Sequence, residues 1–160
     1  MTVDWNLSNE KTADEWAAVF DAPLHEDDIC AANLWQKPFA MKKALEWSNA
    51  DSPKVRSAGF YLTAALAENL RDSDPDELGF FDHFLFLARK FATDENMDAR
   101  RSVVRALAAL ARRSSDWREA VIETCEEIAA QPSEWAQSVA SQTQEELTTP
   151  NSATDKAGNG

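Results

Sequence analysis

Residues 96–113 read N-M-D-A-R-R-S-V-V-R-A-L-A-A-L-A-R-R, and the other predicted elements are arranged around this stretch. At about 100° per residue, Arg101, Arg105 and Arg112 lie within about 40° of one another on one stripe. Four apolar side chains share the adjacent face: Val103, Leu107, Leu110 and Ala111. This spacing predicts a helix that presents an apolar face to the core and a row of arginines to its surroundings.

The arginine row has three interpretations, which the pattern alone leaves open. The arginines pair with acidic side chains of the same protein, they line a groove that faces nucleic acid, or they form a face that binds another protein. The chain has 160 residues, with 16 Lys and Arg against 28 Asp and Glu, and a net charge of -12. Affinity for nucleic acid rests on cations that neutralise phosphate, so this balance opposes non-specific attraction, and a DNA-binding surface has to be local.

The composition, 44% hydrophobic and 28% charged, is that of a globular protein with one domain. Abundant alanine and leucine with only 4 glycines predict an all-helical chain. Cys30 and Cys125 lie in apolar helical patterns, which indicates small core residues in a reduced compartment. His25 and His83 are isolated, so no metal site and no cofactor are predicted. No signal peptide and no apolar run of membrane-spanning length is present, which predicts a cytoplasmic protein without a membrane partner.

Capping residues and prolines divide the chain into about eight predicted helices. Thr12 and Glu15 have the spacing of a capping box for the first helix, and Pro38 is predicted at the first position of the third. Ser52 is predicted to cap the fourth helix, which Pro53 opens, and Ser133 is predicted to cap the eighth. The helices after the first are predicted at about 25–35, 38–48, 53–69, 76–92, 96–113, 117–130 and 133–147.

Gly59 lies inside the fourth predicted helix. Glycine in a helix interior costs about 1 kcal/mol relative to alanine, so a compensating reason is expected. We predict that another helix approaches the backbone closely at this position.

The predicted helices form pairs that recur at about 40 residues, a period typical of HEAT-type repeats. The predicted fold class is therefore all-α, a right-handed stack of antiparallel helix pairs with the first two helices as a cap. A closed helical bundle is the alternative, and it fits less well because the hairpins are consecutive and similar in length. Residues 1–11 are predicted to form a loose arm, 12–147 the single repeat domain, and 148–160 a disordered polar tail.

Three blocks of sequence carry a family resemblance. They are N-L-W-Q-K-P-F-A-M-K-K-A-L-E-W-S at 33–48, V-R-S-A-G-F-Y-L-T-A-A-L-A at 55–67, and D-E-N-M-D-A-R-R-S-V-V-R-A-L-A-A-L-A-R-R at 94–113. With the following I-E-T-C-E-E-I-A segment and the last helix, they resemble the HEAT-like-repeat DNA alkylation repair proteins, which are alkylpurine DNA glycosylases. The resemblance covers most of residues 24–149.

The resemblance implies a clamp whose concave face holds duplex DNA by its backbone. It also implies a carboxylate and nearby tryptophans that stabilise the cationic sugar formed as a charged alkylpurine leaves, without metal or cofactor. Aromatic faces attract cations, and a carboxylate stabilises an oxocarbenium ion. Carried over to this chain, the carboxylate falls on or near Asp28. The DNA-facing basic positions fall on Arg56, Arg100, Arg101, Arg112 and Arg113, and Arg105 belongs to the same arginine row.

The chain departs from the family pattern at several site positions. Leu24 and Arg105 stand where the family has tryptophans, and Ser57 replaces one of two basic residues. Gln137 and Ser138 replace an Arg-Trp pair, and Glu145 replaces a later arginine. Trp47 is the best remaining candidate for an aromatic side chain that faces a cation, although core packing is the default interpretation of each tryptophan.

Three functions are consistent with this pattern. The leading hypothesis is a diverged, non-catalytic relative of the repair glycosylases that binds DNA or another protein through a weakened groove. The alternatives are an active glycosylase that uses Asp28, and an acidic helical-repeat scaffold for protein interactions. Fold resemblance cannot choose among them, because function depends on the site.

Overall fold

The computed structural model describes residues 9–20, 34–70 and 75–148, with the backbone alone for 75–78. Within these ranges the chain is all-α, as predicted, and contains no strand. A 3₁₀ turn at Leu34–Gln36 lies between the first two α-helices. The seven described α-helices are α1 (Glu10–Ala18), α2 (Ala40–Ser48), α3 (Pro53–Asn69), α4 (Pro75–Phe91), α5 (Met97–Ala111), α6 (Ser115–Ala129) and α7 (Glu134–Thr148).

The starts of α3 and α7 confirm the predicted caps. The Ser52 hydroxyl accepts a hydrogen bond from the Val55 amide at 3.4 Å, and Pro53 opens the helix. The Ser133 hydroxyl accepts one from the Ala136 amide at 3.2 Å. These bonds satisfy amides that a helix N-terminus leaves without an intrahelical partner.

Other predicted boundaries are corrected by the local hydrogen bonds. The cap of α1 is Asn9, whose side chain accepts from the Thr12 amide at 2.9 Å, so Thr12 lies inside the helix and residues 10–11 do not belong to an arm. Pro38 lies in a turn before α2, which begins at Ala40. Ser114 caps α6, and this helix begins at Ser115, two residues before its predicted start at about 117. Most of the predicted helix at 25–35 lies outside the described residues.

The helix contacts follow the order of consecutive hairpins. Each pair α2–α3, α4–α5 and α6–α7 is in contact. Across the hairpins, α3 contacts α5 and α5 contacts α7, while α2 contacts α4 and α4 contacts α6. The second helices of the three hairpins therefore form one layer and the first helices another, the arrangement expected of helical repeats.

The central element is α5, which contacts α3, α4, α6 and α7. Ten of its 15 residues are buried. Between Ala99 and Ala111 the exposed side chains are those of Arg101 and Arg105. Neighbouring helices cover α5 on most sides. Its exposed positions therefore mark the stripe of the helix that faces solvent.

The predicted close approach at Gly59 is confirmed. A Cβ atom at this position would lie 2.3 Å from the Ser48 backbone nitrogen and 2.8 Å from the Trp47 carbonyl carbon. Both atoms belong to the backbone at the end of α2, which cannot move away as a flexible side chain would. The missing side chain therefore allows α2 and α3 to pack with their backbones in contact.

We predict that Gly59→Ala destabilises the protein by about 2 kcal/mol or more, because overpacking against backbone outweighs the helix-propensity gain of about 1 kcal/mol. Gly79→Ala is the matched control, since Gly79 lies in α4 and a Cβ there has no atom within 4 Å. That variant should be more stable than the parent by about 0.5–1 kcal/mol. Urea unfolding measures both changes, and a stabilised Gly59→Ala variant would contradict the packing.

Candidate functional site

A cleft with a volume of about 270 Å³ lies over α5, between α3 and α7. Its floor includes Val104 and Ala108. Its polar lining consists of Arg101, Arg105, Arg112, Glu68, Gln142 and Glu146. The three arginines predicted to share a stripe thus lie along one surface, which we call the arginine cleft.

Each arginine of the cleft has an acidic neighbour at a long distance. Arg105 Nη2 lies 3.9 Å from Glu68 Oε1, and Arg112 Nη2 lies 3.4 Å from Glu146 Oε2. Arg101 Nη1 lies 3.9 Å from Asp98 Oδ1, one turn earlier on α5. Exposed ion pairs of this kind stabilise a fold by about 0–1 kcal/mol. The side chains of the three arginines are 43–60% exposed and therefore remain accessible to solvent.

Tyr61 of α3 contacts one arginine of this cleft. The Arg105 guanidinium carbon lies 5.7 Å from the centre of the Tyr61 ring, within the range of a cation–π contact. The ring lies 5.5 Å from that of Phe20. Tyr61 therefore links the arginine cleft to the aromatic core, which restricts where Arg105 can point.

Arg56 does not line the cleft and instead joins two loops. Its Nε donates to Asp94 Oδ2 at 2.7 Å, and the two side chains are only 12% and 5% exposed. Its Nη1 donates to the carbonyls of Ala50 and Asp51 at 3.0 and 2.8 Å. A buried carboxylate with this geometry needs its cation, so Arg56 has a structural role in the described chain.

Arg100 and Arg113 are engaged in the same way. Arg100 Nη1 donates to the carbonyls of Asp94 and Glu95 at 2.7 and 3.0 Å, and its guanidinium stacks 5.2 Å from the Trp135 ring centre. Arg113 Nη1 donates to the carbonyls of Ala67 and Leu70 at 2.8 and 2.9 Å, at the end of α3. These arginines satisfy main-chain acceptors that a helix end or loop leaves open.

The three helices of the α3–α5–α7 layer begin with one repeated arrangement. Arg56, Arg100 and Gln137 each lie four residues after the N-cap of their helix. Each donates to a carbonyl of the loop five or six residues earlier, with Gln137 Nε2 reaching the Gln131 carbonyl at 3.3 Å. We call these side chains loop clamps. Their signal in the sequence is a Ser or Asn followed four residues later by a long side chain that can donate a hydrogen bond.

The structure therefore divides the six arginines that the sequence groups as DNA contacts. Arg101, Arg105 and Arg112 lie together in the cleft. The other three, which we call the clamp arginines, bind main-chain carbonyls: Arg56, Arg100 and Arg113. Spacing along the sequence could not separate the two groups, because their partners lie in loops and on another helix.

Trp47 lies in the core and does not line the arginine cleft. Its ring is 3% exposed, lies 6.0 Å from that of Trp16, and its Nε1 donates to Asp14 Oδ1 at 2.8 Å. Asp14 also accepts from the buried Lys43, as does Glu46. Burial opposes the charged form of Lys43, but the hydrogen bonds that its ammonium donates to Glu46 and Asp14 outweigh this effect and raise the pKa of Lys43. This cluster fastens α1 to α2, so the aromatic residue proposed to face a ligand serves packing.

Two other predicted positions cannot be placed relative to the cleft. Asp28 and Cys30 lie outside the described residues. Burial raises the pKa of the Cys125 thiol to about 11, despite a hydrogen bond with Thr143, so this thiol is protonated at neutral pH. In the described part of the chain, no cluster of His, Cys, Asp and Glu could hold a metal ion. No helix of that part is apolar over a length that would cross a bilayer.

Comparison of this chain with protein-family models, curated proteins and solved structures finds no match. The resemblance to the DNA alkylation repair proteins therefore stays an expectation from the three sequence blocks. The function therefore has to be inferred from the geometry of the cleft.

We predict that Arg56→Met lowers the free energy of unfolding by about 3–5 kcal/mol, because the 5%-exposed Asp94 carboxylate is left without its cation. Arg101→Met is the matched control, since the side chain of Arg101 is 60% exposed and its loss should change stability by about 0.5 kcal/mol or less. Chemical denaturation measures both. Equal effects of the two substitutions would refute the division between clamps and cleft.

Proposed function

We propose that this chain is a non-catalytic helical-repeat module that binds duplex DNA by its phosphate backbone in the arginine cleft. One observation carries the proposal: between Ala99 and Ala111 the central helix α5 exposes only Arg101 and Arg105, and Arg112 follows on the same surface. The exposed stripe over this part of the helix presents a row of guanidinium groups, which are anion-binding side chains. Such groups recognise phosphate through paired N–H donors.

The dimensions of the row suit a polyanion. Arg101 and Arg112 are separated by eleven residues, or about 16 Å along a helix. That length matches roughly five phosphates of one strand, which are spaced by about 3.4 Å along the duplex axis. A row of this length can follow a backbone, and it carries no side-chain pattern for reading base edges.

The charge balance limits the strength of this binding. In the cleft, three guanidinium groups face the carboxylates of Glu68 and Glu146, and Asp98 lies beside Arg101, so the local positive charge is nearly balanced. The whole chain has a net charge of -12, which repels DNA at long range. We therefore expect weak, sequence-independent binding that is measurable at low ionic strength.

The proposal assigns no excision chemistry to the cleft. Arg105 stands where the family resemblance implies a tryptophan, and a guanidinium beside a cationic alkylpurine would repel it in a partly desolvated site. The alternative is an active glycosylase with Asp28 as its carboxylate. Release of 7-methylguanine from alkylated duplex DNA, lost in Asp28→Asn, would replace the non-catalytic proposal with that alternative.

A protein partner is the second candidate. Met97 at the start of α5 is 53% exposed and Trp135 at the start of α7 is 42% exposed, with Arg100 stacked on the Trp135 ring. Exposed tryptophan, methionine and arginine are enriched in protein–protein interfaces. Failure of DNA binding would leave this edge as the functional surface.

We predict that Arg101→Glu combined with Arg105→Glu weakens DNA binding at least about tenfold, because two cations facing phosphate become anions. Fluorescence anisotropy of a labelled duplex at low salt measures this change. The melting temperature should stay nearly unchanged, since both side chains are exposed and their ion pairs are long.

Lys11→Glu combined with Lys42→Glu is the matched control, because it changes net charge equally at two exposed positions outside the cleft. This variant should retain most of the parent's affinity. Absence of parent binding at low salt, or an equal loss in both variants, would dismiss the cleft as the DNA site.

A further inference from the structure

Glu68 and Glu146 occupy opposite walls of the arginine cleft. Glu68 belongs to α3 and faces Arg105, and Glu146 belongs to α7 and faces Arg112. Both carboxylates line the same cleft as the arginine row. An anion that enters the cleft therefore meets two carboxylates that already neighbour its cationic partners.

The geometry of these pairs differs from that of a structural ion pair in the same molecule. Arg56 and Asp94 lie 2.7 Å apart with side chains 12% and 5% exposed. The pairs of Glu68 and Glu146 are 3.9 and 3.4 Å long, and these two side chains are 40% and 56% exposed. Long, solvated pairs contribute little to folding, so stability does not explain why both walls place a carboxylate at this row.

Building on the DNA-binding proposal, we infer that Glu68 and Glu146 are internal competitors of phosphate that keep the affinity of the arginine cleft low. A bound phosphate takes over Arg105 or Arg112, and the displaced carboxylate then faces the phosphate as a like charge. Arginines already neutralised by glutamate neutralise fewer phosphates, so the parent releases few counterions on binding. The salt dependence of its affinity is correspondingly shallow.

The test uses the full chain with Glu68→Gln and Glu146→Gln combined. Glutamine keeps the size and polarity of each side chain, so the fold is retained, as circular dichroism and thermal melting verify. We expect the affinity for a labelled duplex to rise at least about tenfold at fixed low salt. The slope of log affinity against log salt should also steepen by about 0.9 for each additional phosphate neutralised.

Glu119→Gln combined with Glu123→Gln is the matched control, because both residues are exposed on α6 and lie outside the cleft lining. It removes the same number of negative charges, two, from the chain. The control should raise affinity by less than the cleft variant and leave the salt slope unchanged, since long-range charge does not alter the number of phosphate contacts.

The outcomes separate this inference from the proposal on which it rests. If the parent binds DNA and the cleft and control variants gain affinity equally, the internal competition is wrong while the DNA-binding cleft stands. If none of the three proteins binds DNA, the proposed function is wrong. The inferred competition between glutamate and phosphate is then wrong as well. A tighter cleft variant with a steeper salt slope supports the inference.

Discussion

The burial of α5 is the constraint on which the rest of the described structure depends. This helix contacts α3 and α7 in its own layer and α4 and α6 in the other. Alanine, leucine and valine cover most of its circumference and carry the core between the hairpins. A helix so enclosed reaches solvent along a single stripe, and in this chain that stripe carries arginine. The packing of the core therefore places the cationic row at the gap between α3 and α7.

Close packing of helices leaves main-chain carbonyls at loops and helix ends that need donors. Arg56, Arg100 and Arg113 meet this need, so half of the chain's candidate DNA contacts lie outside the arginine cleft. The same division explains the local electrostatics. Clamp arginines are held by short bonds to carbonyls or to a buried carboxylate, whereas cleft arginines have long, solvated partners that a ligand can displace.

Much of the fold could be predicted from the sequence because its causes are local. Helical periodicity acts within a few residues, and so do the caps at Ser52 and Ser133. The missing side chain at Gly59 acts through a single helix contact. The stripe of cleft arginines was likewise predictable, since helix geometry alone places them together.

The roles of individual side chains depended on partners that the local pattern does not contain. Arg113 reaches carbonyls more than forty residues earlier in the chain, and the Trp47 indole donates to Asp14 of α1. Spacing within one helix could not distinguish such a clamp or core residue from a ligand contact.

The central claim is that cleft arginines bind phosphate while clamp arginines do not. The most direct measurement is a titration of the nitrogen-15-labelled protein with duplex DNA, following the arginine Nε–Hε resonances by NMR. The account predicts shifts at Arg101, Arg105 and Arg112, with those of Arg56, Arg100 and Arg113 nearly unchanged. Shifts confined to the clamp arginines, or saturable binding that leaves all three cleft arginines unmoved, would contradict it.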